Sequence, residues 1–184
     1  ASSGVPTPVD SANTIIDPNS INGAAIGYPY APKDLGGPMS NHGRVVWTGG
    51  SFYVMNDNNT WLGTVVNLGV WEMQGDLGLY QWFGNDLGTF ANGGRFLKTA
   101  GGGIGVINLV FYNPYGAVEV WSGTLRFDHG QQLDGLYSVD AGAAIQLNGG
   151  TFSYTPPGRF TAIHLEARQW RGRTWMAPMA TNGN

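Results

Sequence analysis

The sequence predicts an all-β protein whose short strands stack as a parallel β-solenoid of about five rungs. Glycine supplies 30 of the 184 residues, and glycine tolerates the backbone angles of tight turns. Charged residues make up only 11% of the chain, too few to cover the exposed faces of many helices. One strand-turn unit also recurs along the chain, which is typical of stacked architectures.

The recurring unit contains an Asn/Asp-x-Gly corner between two strands of alternating apolar residues. Its corners lie 26, 25, 21 and 27 positions apart, within the range of known structural repeats. Because similar corners stack on one another, their polar side chains are expected to form a ladder that satisfies backbone groups of the next rung. The predicted ladder residues are Asn41, Asn67, Asn92, Asn113 and Asp140.

Period-2 alternation sends every second side chain of a strand into the interior. Equivalent positions of the five copies should therefore form one buried ladder. A β-sandwich of the same strands is the alternative, since it also has Gly-rich turns at short spacing. The sandwich gives no reason for the same corner to return, so the solenoid is preferred. The expected interior ladder is Val45, Val70 or Trp71, Phe96, Val118 and Ala144.

Three segments resemble the repeats of bacterial surface adhesins: TFANGGRFLKTAGG at 89–102, WSGTLRF at 121–127 and VDAGAAIQLNGGTF at 139–152. The resemblance covers residues 39–155 and rests on a degenerate motif. It implies the right-handed parallel β-helix of autotransporter-like proteins, and an extracellular or cell-surface location. A start at Ala1, without an initiator Met, matches the expected product of signal-peptidase cleavage and also predicts secretion.

Both ends of the chain depart from the repeat. The sequence thus predicts an extended N-terminal arm at 1–38, solenoid repeats at 39–158 and a C-terminal capping or interface segment at 159–184. Residues 1–92 carry a net charge of −5 and residues 93–184 carry +2, so the two ends are complementary. Head-to-tail contacts between unlike surfaces produce open filaments. The predicted subunit-interface residues are Val5, Val9, Ile15, Ile16, Trp170, Arg171, Arg173 and Trp175.

The leading functional interpretation is an extracellular structural protein that assembles with itself into a fibre or surface filament. A carbohydrate-binding or adhesive module is the alternative, because Trp61, Trp82 and Trp121 are candidates for outward positions where flat rings contact sugars or a partner protein. An enzyme acting on polysaccharide is the third possibility. Asp128, His129 and Asp134 form the one compact titratable group, without a clear acid-base pair, so we expect no catalysis.

Several classes of function are not expected from the composition. Net charge is −3, without the basic excess that nucleic-acid binding needs. The chain has no cysteine, and His42, His129 and His164 are dispersed, so neither a metal nor another cofactor is predicted. The longest apolar run is too short for a membrane span.

Overall fold

The computed structural model describes residues 13–16, 33–35, 37–56, 63–83, 88–153 and 159–161. Within these ranges the chain forms β-strands and turns, and the strand pairings are parallel. The strands are β1 (Asn13–Ile16), β2 (Lys33–Leu35), β3 (Pro38–Asn41), β4 (Arg44–Trp47), β5 (Phe52–Met55), β6 (Thr64–Asn67), β7 (Val70–Gln74), β8 (Gly78–Phe83), β9 (Thr89–Asn92), β10 (Arg95–Ala100), β11 (Ile104–Tyr112), β12 (Ala117–Val120), β13 (Thr124–Gln132), β14 (Leu136–Val139), β15 (Ala144–Leu147), β16 (Gly150–Ser153) and β17 (Arg159–Thr161).

The described strands belong to two parallel sheets. The first sheet has the order β1-β4-β7-β10-β12-β14-β17. The second joins β2-β5-β8-β11 and β3-β6-β9-β11, and β13 then pairs with β11, β15 and β16. Neighbours in the first sheet are always separated in sequence by strands of the second. The chain therefore leaves the first sheet, passes through the second and returns one strand further along, which supplies the crossover that parallel pairing requires.

Two nine-residue strands, β11 and β13, change how the second sheet is built. The first half of β11 pairs with β8 and its second half with β9. On its other side β11 pairs with β13, and the register of that pairing shifts between Ile107 and Val110. Earlier in the chain, each passage through the second sheet consists of two separate strands with additional residues between them. These pairs of strands are β5 and β6, and β8 and β9. This explains why Asn92 and Asn113 are only 21 residues apart, whereas Asn41 and Asn67 are separated by 26.

One row of the core follows the first sheet from strand to strand. Val45 pairs with Trp71, Trp71 with Phe96, and Phe96 with Val118, and all four side chains are fully buried. The interior ladder predicted from the sequence contains these four positions.

The fifth predicted position of that interior ladder, Ala144, is wrong. Val118 pairs with Tyr137, which is also buried, whereas Ala144 is half-buried in β15 of the second sheet and pairs with Thr124. The physical reason is that Asp140-Ala-Gly142 forms a turn that leaves the first sheet, whereas the Asn-x-Gly corners of Asn41, Asn67 and Asn92 form turns that enter it.

Aromatic rings fill the interior between the two sheets. Trp71 contacts Trp47, Phe52 and Phe90 edge to face, at centroid distances of 6.5, 6.0 and 5.3 Å. Phe90 in turn stacks on Phe111 at 5.6 Å. Such pairs add about 0.5–1.5 kcal/mol each beyond the burial of their surface. The packing is therefore directional, and it extends across successive strands.

Parallel pairing extends beyond the predicted limits of the repeats. Within the predicted arm at 1–38, β1 pairs with β4 and β2 with β5. Within the predicted cap at 159–184, β17 pairs with β14. These segments contribute strands to the same two sheets. Other parts of the arm and of the cap lie outside the described residues.

Candidate functional site

The outer face of the second sheet carries a continuous row of aromatic and polar side chains. Because alternate residues of each strand are buried, those between them point away from the core. Tyr53 pairs with Tyr80, and Tyr80 pairs with Asn108. Four strand-to-strand steps of about 4.8 Å give this row a length of about 19 Å. We call it the outer row, and its members are Tyr53, Tyr80, Asn108, Asp128 and Asn148.

The aromatic end of the outer row is built from three rings. Tyr53 lies 5.6 Å from Tyr80 and 4.9 Å from Trp82, measured between ring centroids. Trp82 is 64% exposed, although it is among the largest apolar side chains. The Tyr80 ring lies over Gly78, where an added Cβ would be 2.1 Å from Tyr80 Cε2. Glycine at this position therefore allows the ring to lie against the sheet.

The polar end of the outer row is centred on Asp128. Asn148 Nδ2 donates to Asp128 Oδ1 at 2.9 Å, and Asn108 Nδ2 donates to Asp128 Oδ2 at 3.1 Å. Arg126 adds an ion pair, with Nε 2.8 Å from Oδ1. Burial by itself would raise the pKa of Asp128, but these hydrogen bonds and the Arg126 charge outweigh it and hold the pKa below its usual value. The carboxylate is thus ionised at neutral pH and its position is fixed.

The aromatic and polar ends influence one another electrostatically. Burial is the largest cause of the raised pKa of Tyr80, and the neighbouring Tyr53 and the Asp128 carboxylate add to the rise. The Arg126 guanidinium opposes it. Tyr80 therefore lies within the electrostatic reach of the Arg126–Asp128 pair. Because Tyr80 pairs with Asn108, which donates to Asp128, the aromatic rings and the hydrogen-bonding groups form one surface.

The three tryptophans proposed from the sequence as glycan or partner contacts have different positions. Trp82 lies at the aromatic end of the outer row. Trp121 is 48% exposed, but it follows β12 in the turn that leaves the first sheet, where its backbone N–H donates to the Lys98 carbonyl. Trp61 lies outside the described residues. Trp82 therefore adjoins the outer row through Tyr53, whereas Trp121 lies away from it.

Sequence reasoning did not identify Tyr53, Asn108 or Asn148 as parts of a site. A signal was nevertheless present, because Asn108, Asp128 and Asn148 follow one another at intervals of 20 residues. It was hidden by the longer spacing of the earlier corners, which are 26 and 25 residues apart.

A second row, inside the molecule, consists of asparagines at the turns that enter the first sheet. Asn41 Nδ2 donates to Asn67 Oδ1 at 2.7 Å, Asn67 to Asn92 at 2.8 Å, and Asn92 to Asn113 at 3.0 Å. The first three also donate to backbone carbonyls, and all four side chains are fully buried. Asparagine can serve in such a row because its amide both donates and accepts.

Asp140, the fifth residue predicted for this ladder, is not part of the asparagine row. It is exposed in the turn after β14, where its backbone N–H donates to the Val120 carbonyl. Tyr112 pairs with Gln132, so the position next to Asn113 falls to Leu133. A leucine cannot continue the chain of amide hydrogen bonds.

The predicted subunit-interface residues are mostly outside the described part of the chain. Ile15 and Ile16 belong to β1 and pair with Val46 and Trp47. The interface residues outside the description are Val5, Val9, Trp170, Arg171, Arg173 and Trp175.

No family model, curated protein or solved structure was found to be significantly similar to the chain. Among the described residues, no group of three or more His, Asp or Glu side chains is placed to hold a metal ion. The same residues include no helix with the length and apolar character needed to cross a membrane.

Proposed function

We propose that the chain is a parallel β-solenoid in which each coil contributes one strand to the first sheet and two strand segments to the second. The strand order supports six such coils, starting at β1, β4, β7, β10, β12 and β14, with β17 beginning another. This exceeds the five rungs expected from the corners alone. The right-handed coiling of the solenoid and the kinship with autotransporter-like surface adhesins remain part of the proposal.

We infer that the protein is a secreted carbohydrate-binding module and that the outer row is its binding surface. The observation that carries this function is the continuity of a partly exposed aromatic cluster, Tyr53, Tyr80 and Trp82, with the fixed polar groups around Asp128. Sugars present apolar C–H faces that pack on aromatic rings, and hydroxyls that bond to amides and carboxylates. Binding sites commonly combine such apolar walls with a few placed polar groups.

The polar groups are suited to binding because they are ordered before a ligand arrives. Asp128 is held by Asn108, Arg126 and Asn148, so little side-chain freedom remains to be lost. Trp82 is exposed at the edge of the cluster, where covering its ring removes apolar surface from water. Both features favour association with a sugar chain.

Glycan binding should depend on Trp82 and not on Trp121. We expect Trp82→Ala to weaken glycan binding about tenfold or more, as loss of a central aromatic contact usually does. Trp121→Ala is the matched control, since it removes an exposed tryptophan from a turn outside the outer row. A glycan array followed by titration calorimetry measures both. Equal binding by the two variants, or no binding of any glycan by the unaltered protein, would contradict the proposal.

Self-assembly into an extracellular fibre is the second candidate function. It is favoured by the position of β1 and β17, the outermost described strands of the first sheet, each with parallel pairing on one side. An outermost strand can pair with a further strand unless another part of the protein covers it. Electron microscopy should reveal filaments that the double substitution Arg171→Glu and Arg173→Glu shortens. Uniform monomers at low and high salt would exclude the fibre.

A further inference from the structure

We propose that the outer row is selective for neutral polysaccharides and that the bound sugar chain runs across the strands, along the direction in which they stack. This inference rests on the proposed glycan binding and adds the class of ligand and its orientation. It depends on two observations, the alignment of the hydrogen-bonding groups and the charge balance around Asp128.

The orientation follows from where the polar groups lie. Asn108, Asp128 and Asn148 occupy successive strands and bond to one another across them. Along β11 itself, the neighbours of Asn108 that share its face are Val106 and Val110, which offer no side-chain hydrogen bond. A sugar chain laid along β11 would therefore lose polar contacts after one residue. A chain laid across the strands meets the aromatic rings first and then three hydrogen-bonding side chains in turn.

The preference for neutral sugars follows from the charges. At the polar end of the outer row the charged side chains are Asp128 and Arg126, and they neutralise each other. Beyond the aromatic end, the position that pairs with Tyr53 is another acidic residue, Asp34 of β2. Together these groups give the row no excess of positive charge to attract an acidic sugar.

Arg126 Nε and Nη2 both contact the Asp128 carboxylate. Of the two side chains Arg126 is the more exposed, at 29% against 12%, but a sugar carboxylate or sulfate could bind it only in competition with Asp128. Asp128 already accepts from Asn108, Asn148 and Arg126, so neutral hydroxyls are expected to bond chiefly to the amides of Asn108 and Asn148, which both donate and accept.

Selectivity is tested with oligosaccharides of equal length and different charge. Titration calorimetry would compare neutral gluco-, manno- and xylohexaose with a hexagalacturonate. We expect at least one neutral hexasaccharide to bind about tenfold or more tightly than the hexagalacturonate. Equal or tighter binding of the acidic chain overturns the inference. If that binding is still lost in Trp82→Ala, glycan binding at this surface stands while the neutral preference fails; if no probe binds, both fail.

Removing the Asp128 charge gives a sharper form of the test. Asp128→Asn keeps the shape of the side chain and leaves Arg126 without its counter-charge, so binding of the hexagalacturonate should appear or rise about tenfold or more. The double variant Arg126→Gln and Asp128→Asn removes both charges and should not gain acidic binding. If circular dichroism shows that the single variant does not fold, the double variant can be used in its place. Acidic binding that is unchanged in Asp128→Asn contradicts the charge argument.

The orientation is tested at the far end of the row. Asn148→Ala should weaken hexasaccharide binding by about threefold to tenfold while leaving disaccharide binding at the aromatic end unchanged. Comparing the hexasaccharide with the disaccharide distinguishes one lost contact from a general disturbance of the surface, because a general disturbance would weaken the binding of both sugars. An Asn148→Ala variant that binds the hexasaccharide as the unaltered protein does would show that the sugar chain does not run across the strands.

Discussion

Substitution of Lys98 by Met is expected to lower the free energy of unfolding by about 3–5 kcal/mol. Lys98 lies in β10, and its side chain is fully buried. Its position pairs with Met73 on one side and Val120 on the other, both buried and apolar, so an ammonium group enters a row of core residues. Space for its stem comes from Gly105, where an added Cβ would lie 3.1 Å from Lys98 Cε.

The magnitude follows from what the Lys98 ammonium holds together. Nζ donates to Asp76 Oδ1 at 3.0 Å and to the carbonyls of Ala100, Gly101 and Ser122 at 2.8, 3.0 and 3.0 Å. These acceptors belong to three successive turns that leave the first sheet. Hydrogen bonds to a charged group contribute about 1.5–3 kcal/mol each. The net loss is smaller than their sum, because Met retains the apolar contacts of the stem and no charge has to be desolvated.

Urea denaturation followed by tryptophan fluorescence measures this loss. Asp76→Asn is the comparison variant: it leaves the buried Lys98 ammonium without its counter-charge but keeps the three carbonyl acceptors, so it should also be destabilised, by less than Lys98→Met. Asn at this position also retains an oxygen that can accept from the Gly103 N–H. The reasoning is refuted if Lys98→Met unfolds within about 0.5 kcal/mol of the unaltered protein, or if Asp76→Asn is the more destabilising of the two.

Two further predictions concern the asparagine row and acid stability. Asn67→Ala should cost about 2–4 kcal/mol in urea denaturation, because it leaves Asn92 Oδ1 without its donor and creates a cavity. The neighbouring Leu68→Ala, at a 52% exposed position, should cost less than about 0.5 kcal/mol, and equal losses would contradict the role of the row. Burial alone would raise the pKa of Glu72 and of Asp76, but hydrogen bonds outweigh it and hold both pKa values below the usual values of these carboxyl groups. Their stabilisation is therefore complete above those values and is lost as the pH falls through the lower folded-state pKa values, so Glu72→Gln should flatten the acid limb of a stability-against-pH curve. An unchanged acid limb would refute this.

The strand alternation and the asparagine corners could be predicted from the sequence because their chemistry is specific. Asn41, Asn67 and Asn92 each precede a Gly by two positions and are flanked by apolar strands, and a buried amide in that setting needs a partner of its own kind. Asp140-Ala-Gly142 has the same pattern but belongs to the other kind of turn. Gly142 has a positive φ of 83°, as Gly101 does in an equivalent turn leaving the first sheet. Turns that enter the first sheet and turns that leave it both need glycine, so the position of glycine alone could not distinguish the two kinds of turn.

The outer row could not be predicted because no single period describes it. Successive asparagines of the interior row are first separated by 26 residues, whereas Asn108 and Asp128 are separated by 20, since β11 and β13 run through without an intervening loop. The interior residues are fixed by packing, so their pattern survives a change of loop length. Outward-facing residues are not constrained by core packing. They are brought together only by the register in which neighbouring strands pair. Substitutions in the outer row should therefore change binding with little change in stability, and substitutions in the asparagine row should do the reverse. A stability loss in Trp82→Ala as large as that in Asn67→Ala would show that the aromatic cluster serves the fold instead.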